Sequence, residues 1–282
     1  MLRRTARRRG PLIYRHTVAV RVMHWINVGC LLVLLLSGFQ IFNARPDLYW
    51  GQASDFDAPL LSMGAHRAAD GSVVGTTTVL GHRFDTTGVL GASRSASGEM
   101  EARGFPHWLT IPGPRWLAMG RTWHFFFAWL FVVNGMCFIA YSLWTRHLQR
   151  DLVPTRTDWR GIGRSIVDHL RLRHPTGEAA RRYNVLQRLA YLVVLLAFGP
   201  GIVLMGLAMS PTMDSVLGWL LHIVGGRQSA RTLHFLLAFA LVAFVAIHVF
   251  EVIVTGVWNN LRSMITGYYR LPVAREDSRD ES

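Results

Sequence analysis

Four long apolar runs, separated by polar connections, set the pattern of this 282-residue chain. They lie near Val22–Phe42, Trp123–Trp144, Leu186–Met209 and Leu233–Trp258. Crossing a hydrocarbon core of roughly 30 Å takes about 20 helical residues, and apolar runs of this length rarely build soluble cores. The pattern predicts an all-α membrane protein, a four-helix transmembrane bundle forming a single domain over 1–282. The first run is too long for a removed signal peptide and lacks a small-residue cleavage site, so it reads as an anchor. Arg3-Arg4 lack the context of a twin-arginine signal.

The connections carry weaker signals. The 43–120 connection is rich in Gly, Ser, Thr and Ala, and within it Ser72–Leu90 alternates β-branched with polar residues around Gly81-His82, the pattern of a hairpin. Phe105–Leu109 reads as an interfacial segment, Val216–Val224 as an interfacial helix, and 154–182 as an amphipathic arginine-rich helix on an anionic surface. Connections as long as 43–120 usually have a function; docking of an outside partner is one expectation here, and a plain ordered cap is the alternative.

Charge adds an orientation. The chain is 51% hydrophobic and 17% charged, and all 30 basic residues are arginine. Seven precede or open the first run, nine lie in 146–182, and four follow the last run. The other two connections hold nine between them but also eight acids. By the positive-inside rule both termini and the 146–182 connection face the cytoplasm, an N-in/C-in topology with 43–120 as a long periplasmic loop. A basic nucleic-acid binder would not sort its arginines by alternate membrane faces.

The candidate chemistry lies in the histidines. Arg21-Val22-Met23-His24, Arg121-Thr122-Trp123-His124 and Arg231-Thr232-Leu233-His234 repeat the pattern R-x-x-H, each running into an apolar stretch. Positions i and i+3 share a helix face, so a cation suited to an anionic propionate sits one turn from an imidazole suited to haem iron. His248 lies fourteen residues beyond His234. That is a rise of roughly 21 Å at about 1.5 Å per residue, with both rings on nearly one face. Axial ligands of one iron must lie at one depth, which pairs His24 with His248 near the cytoplasm and His124 with His234 near the periplasm. With no C-x-x-C-H, any haem is of b type, held without covalent attachment; Cys30 and Cys137 read as apolar fillers. Gly38, Gly135, Gly199 and Gly206 offer close approach to a macrocycle, and Pro200 should kink the third run.

At these residues the chain resembles the prokaryotic di-haem cytochrome b family, the membrane subunit of Ni,Fe-hydrogenases and formate dehydrogenases. The matching segments are His16–Trp25, Gly120–Asn134, Tyr183–Gln187 and Gly226–His248. The resemblance implies two haem b, electron exchange with quinone in a bacterial inner membrane, and a periplasmic redox partner, either hydrogenase-like or a molybdopterin oxidoreductase. The 43–120 connection exceeds the minimal family pattern and is similar to variants that accompany molybdopterin enzymes. In formate dehydrogenase relatives quinone sits beside the cytoplasmic haem against an asparagine opening helix three, a place matched by Asn184 and Gln187. Helix capping is the alternative role for both. Glu251 and His16 fall near the same place, Glu251 as a proton carrier or an arginine partner at the rim.

The leading expectation is a membrane electron conduit between a periplasmic oxidoreductase and the quinone pool. A stand-alone oxidoreductase acting on superoxide or a metal ion is the alternative. A metal transporter would place carboxylates beside its histidines at mid-membrane, and acids are nearly missing there.

Overall fold

The computed structural model describes residues 10–113, 115–171 and 184–272. Arg3-Arg4, the last two tail arginines Arg275 and Arg279, His174, Tyr183 and the end of the 154–182 segment lie outside the described residues. The protein is mostly helical. Its four long helices are α1 (Val18–Phe42), α2 (Leu117–Trp144), a third running Val185–Ala208, and α8 (Arg227–Val254), of 25, 28, 24 and 28 residues. The first two contain the expected runs, while the third ends one residue short at Ala208 and the fourth four residues short at Val254. All start earlier, so the R-x-x-H arginines sit about one turn inside their helices rather than at the first position. Large apolar side chains such as Phe126, Trp129, Val133 and Met136 of α2 are exposed. On helices of this length, apolar exposure on this scale marks a lipid-facing surface.

The third long helix is irregular. It is α-helical over α5 (Val185–Val193), widens to a π turn over Val194–Phe198, and resumes as α6 (Gly199–Ala208) with Pro200 in its first turn. Proline has no N–H for the carbonyl four residues back and its ring crowds that carbonyl. The π turn absorbs that mismatch, so the expected disturbance at Pro200 takes this form.

Two compact units divide the described residues, and every long helix contributes to both. The first comprises residues up to Trp25, Met136–Ala197 and Leu241 onward. Its strands β1 (Leu12–Tyr14) and β8 (Tyr268–Arg270) pair antiparallel, with Ile13 opposite Tyr269. The expected amphipathic segment forms α3 (Arg156–Arg160) and α4 (Ile162–Leu170). Thr155 and Asp158 make a capping box at the start of α3, and Asp158 also meets the buried Arg188 of α5 at 2.9 Å. The helix α9 (Val257–Thr266) leads from the end of α8 to β8.

The second unit comprises Ile26–Gly135 and Phe198–Ala240. Here the expectation of an all-α protein with a long loop needs correction, because the 43–120 connection folds into β structure. Strands β2 (Asp47–Leu48), β3 (Leu61–Arg67), β4 (Val73–Val79) and β5 (His82–Asp85) form a four-stranded antiparallel sheet in that order. The expected hairpin is β4–β5, with Val79 opposite His82. Its two-residue turn Leu80-Gly81 has positive φ at both positions, the twist that matches paired strands. A ribbon of β6 (Ala92–Arg94) and β7 (Met100–Ala102) lies alongside. Phe105 is buried and stacks on Phe39 of α1 with centroids 4.0 Å apart, in a cluster with Phe42, Leu48 and Met63. The expected interfacial segment is thus half core: Phe105 is inside, while Trp108 is 69% exposed. The helix α7 (Asp214–Val224) matches the short helix expected there, its Asp214 held at 2.6 Å by Arg227.

Gly91 is the tightest point of this unit. Its φ is +75°, and a Cβ there would overlap the Gly64 carbonyl oxygen and lie 2.8 Å from the Thr76 nitrogen. Gly91→Ala should destabilise the unit by about 3 kcal/mol, since a disfavoured backbone conformation and a backbone overlap add. Gly64→Ala, with open space around it, should stay within about 1 kcal/mol. Thermal unfolding of the detergent-solubilised protein, followed by circular dichroism, checks both; equal melting temperatures would remove Gly91 as a constraint.

Candidate functional site

Four imidazoles come together as two pairs, one in each unit. In the second unit the rings of His124 on α2 and His234 on α8 have centroids 6.2 Å apart, inclined at 62°. In the first unit His24 on α1 and His248 on α8 are 6.4 Å apart, inclined at 57°. Two imidazoles sharing one iron, with bonds of about 2 Å and about 1 Å from nitrogen to ring centre, would have centroids about 6 Å apart. Both pairs fit that spacing. The pairing is the one expected from depth along the helices.

Hydrogen bonding fixes which nitrogen is available. His234 Nδ1 lies 2.8 Å from the Ile202 carbonyl oxygen. A carbonyl only accepts, so Nδ1 carries the proton and Nε2 keeps its lone pair. Ser37 Oγ lies 2.6 Å from the Val33 carbonyl, to which it donates, and 3.1 Å from His124 Nδ1. With its proton committed, Ser37 accepts from Nδ1–H, and His124 Nε2 is likewise the ligand atom. A hydroxyl and a carbonyl thus orient the two rings in the manner of outer-shell partners of metal-bound histidine.

Two of the four expected glycines face this pair. A Cβ on Gly38 would lie 3.5 Å from His124 Cε1, and one on Gly206 3.2 Å from His234 Cε1. Gly135 has open space around it. The pair in the first unit is held differently. Phe244, one turn before His248, stacks near parallel to it at 6.0 Å and 16°. Trp25 lies edge-on to His24 and its indole N–H donates to the Met264 carbonyl at 3.1 Å. His24 Nδ1 is buried without a hydrogen-bond partner among the described residues.

The three arginines diverge. Arg21 donates to the Ile265 carbonyl and keeps a buried, unpartnered Nε. Arg231 donates to the Arg45 carbonyl at 2.5 Å and lies over the Phe42 ring. Arg121 is exposed and stands 5.8 Å over Phe125. Asn184 and Gln187 form a capping box on α5: Asn184 Oδ1 accepts from Leu186 N and from Ser165 Oγ, while Gln187 Oε1 accepts from Asn184 N. These bonds use the amide oxygens only. Glu251 is half-buried one turn beyond His248.

His16, just before α1, has its pKa lowered to about 4, first by burial and then by Arg15, His24, His147 and Arg21. It is therefore neutral at physiological pH. No local pattern connects His147 with this cluster. Ser37 does carry a readable mark, since a lone serine in an apolar run is a signal for a polar partner inside a bundle. The Ile202 carbonyl leaves no mark in a sequence. Cys30 is buried, as a filler would be, and Cys137 is exposed.

The prokaryotic cytochrome b561 family matches residues 15–267. The "Putative protein-methionine-sulfoxide reductase subunit YedZ1" of Azospira oryzae is 26% identical over 253 residues, covering 90% of this chain and 96% of that protein. No solved structure matches. Family members are membrane electron-transfer proteins that bind haem b, and the donor set suits that group: paired imidazoles with oriented Nδ1 atoms and glycines against the rings. With a match across both histidine pairs and all four long helices, the chain belongs to the prokaryotic cytochrome b561 family.

Proposed function

We propose that the chain binds two haem b in the bacterial inner membrane and relays electrons between quinone and a periplasmic oxidoreductase. His24 and His248 hold one haem; His124 and His234 hold the other. The observation that carries this reading is the pair of centroid separations, 6.4 and 6.2 Å, with Nδ1 engaged in both rings of the second pair. Each haem, when bound, supplies a one-electron iron couple. Ser37 and the Ile202 carbonyl hold Nδ1–H and present Nε2, and Gly38 and Gly206 keep side-chain bulk away from the rings.

The arginine distribution supports an N-in/C-in orientation, with 43–120 on the periplasmic side. On that side the sheet gives a partner enzyme a folded platform. The Azospira oryzae relative is named as a subunit of a protein-methionine-sulfoxide reductase, which favours a partner of that class, a molybdopterin enzyme. A quinol gives up two electrons and two protons to become quinone; the partner uses two electrons and two protons to turn a sulfoxide into a thioether and water. The chain's part is to pass those electrons singly. Asn184 and Gln187 serve the quinone site beside His24 and His248, because their capping bonds leave both amide NH2 groups to donate to quinone oxygens.

Purified protein should contain two low-spin haems. His24→Ala and His248→Ala should each remove one redox transition, and His124→Ala and His234→Ala the other, read by optical redox titration. Loss of the same transition in His24→Ala and His124→Ala would overturn the pairing. Gly206→Leu should drive its side chain into the His234 ring and deplete the second haem several-fold while sparing the first, measured as haem per protein. Asn184→Asp keeps a capping oxygen but removes the NH2 donor. It should retain both haems and slow quinol oxidation about tenfold, or about 1.4 kcal/mol; an unchanged rate would leave capping as this residue's whole role.

A further inference from the structure

Arg103 is a cation inside the second unit, only 8% exposed. It sits between β7 and Phe105, in the part of the chain that exceeds the minimal family pattern. Nε donates to the Phe105 carbonyl at 3.0 Å, and Nη2 donates to Gln40 Oε1 at 2.9 Å and Thr110 Oγ1 at 3.0 Å. All three acceptors are neutral. Nη1 is buried and has no hydrogen-bond partner among the described residues. Glu101 influences Arg103 only at a distance and is itself paired with Arg115 at 3.1 Å. A buried guanidinium with an unused N–H and no carboxylate of its own is an anion site.

Its place in the unit says which anion. Gln40 of α1, which holds Nη2, lies against Gly120 of α2: a Cβ on Gly120 would stand 2.8 Å from Gln40 Cγ. His124 is four residues along α2 from Gly120, on the same face. Gly38, two residues before Gln40, faces the His124 ring at 3.5 Å. Arg103 is therefore tied to α1 through Gln40, which packs on α2 at Gly120, four residues or about 6 Å along that helix from His124.

Building on the proposed haem at His124 and His234, we propose that Arg103 is an anion ligand of that site, its Nη1–H pairing with a haem propionate. Of the R-x-x-H cations expected at this site, Arg121 is exposed over Phe125 and Arg231 is engaged by the Arg45 carbonyl. Arg103 supplies the buried positive charge in their place. A guanidinium beside the propionate disfavours the more positive oxidised haem, so its loss lowers the reduction potential.

The test is an optical redox titration of the haem-loaded, detergent-solubilised protein, with Arg103→Gln and Arg103→Lys beside the wild type. In Arg103→Gln both haems should remain, and the reduction equilibrium of the haem assigned to His124 and His234 should fall about tenfold, or about 59 mV for one electron. The other haem should not move, and Arg103→Lys should keep most of the wild-type value. Unmoved potentials, an equal shift in both haems, or a lysine variant as low as the glutamine variant would each overturn the proposal. Fewer than two haems in the wild type would instead overturn the functional reading beneath it. Should Arg103→Gln not assemble, haem dimethyl ester, which has no carboxylate, takes its place as the probe. Wild-type apoprotein should bind the ester more weakly than haem b at this site, and equal affinity would overturn the proposal.

Discussion

An imidazole within an apolar helix must satisfy two nitrogens where water is scarce, and the organisation of both sites follows from that demand. An unpaired polar group in hydrocarbon costs several kcal/mol. In the second pair the protein meets half the demand itself: Ser37 takes Nδ1–H of His124, and the Ile202 carbonyl takes that of His234. The two remaining lone pairs belong to rings 6.2 Å apart, a separation suited to one iron and too wide for a direct hydrogen bond between the rings. Ser37 can serve only because its own proton goes back to Val33, as serine in a helix commonly does. The first pair relies more on aromatic walls, Phe244 and Trp25, and leaves His24 Nδ1 without a partner among the described residues.

The helical frame was legible because hydrocarbon thickness leaves little freedom in length or composition. The histidine pairing was legible for a related reason: fourteen residues on one straight helix fix both depth and face. The hairpin announced itself by alternation, although its turn, Leu80-Gly81, falls one residue before the expected Gly81-His82. The rest of the sheet did not. Strand β2 has two residues, and β3, with the sequence Leu-Ser-Met-Gly-Ala-His-Arg, lacks a clean alternation. Its edges are set by contacts with α1 and with loop residues distant in sequence. Arg103 was invisible for the same reason, since nothing local distinguishes a buried arginine from a solvated one. What makes it unusual is Gln40, 63 residues away.

The capping box of Asn184 and Gln187 uses only one end of each amide. Side-chain oxygens close the start of α5, while the NH2 groups stay on the opposite ends of the same amides. Capping therefore fixes the orientation of both amides, so the proposed quinone contact through their NH2 groups is compatible with it. Arg188, in the same turn, adds a buried ion pair to Asp158 that joins α5 to α3.

The long-range bonds of the second unit also bear on how the protein is made. Gly51 N accepts no help from its neighbours in sequence; it donates to Ser229 Oγ, 178 residues later. The carbonyls of Tyr49 and Arg45 are met by Thr232 and Arg231, at separations of 183 and 186 residues. Phe42 packs on Phe235. Residues 45–51 leave the ribosome early, yet their partners open the last long helix. The sheet can pair its own strands before α8 is made, but its seam with α8 stays open until synthesis has passed residue 235. Completion of this unit is thus a late step of membrane insertion, and a chain truncated before α8 would carry an unfinished sheet seam as well as lacking His234 and His248.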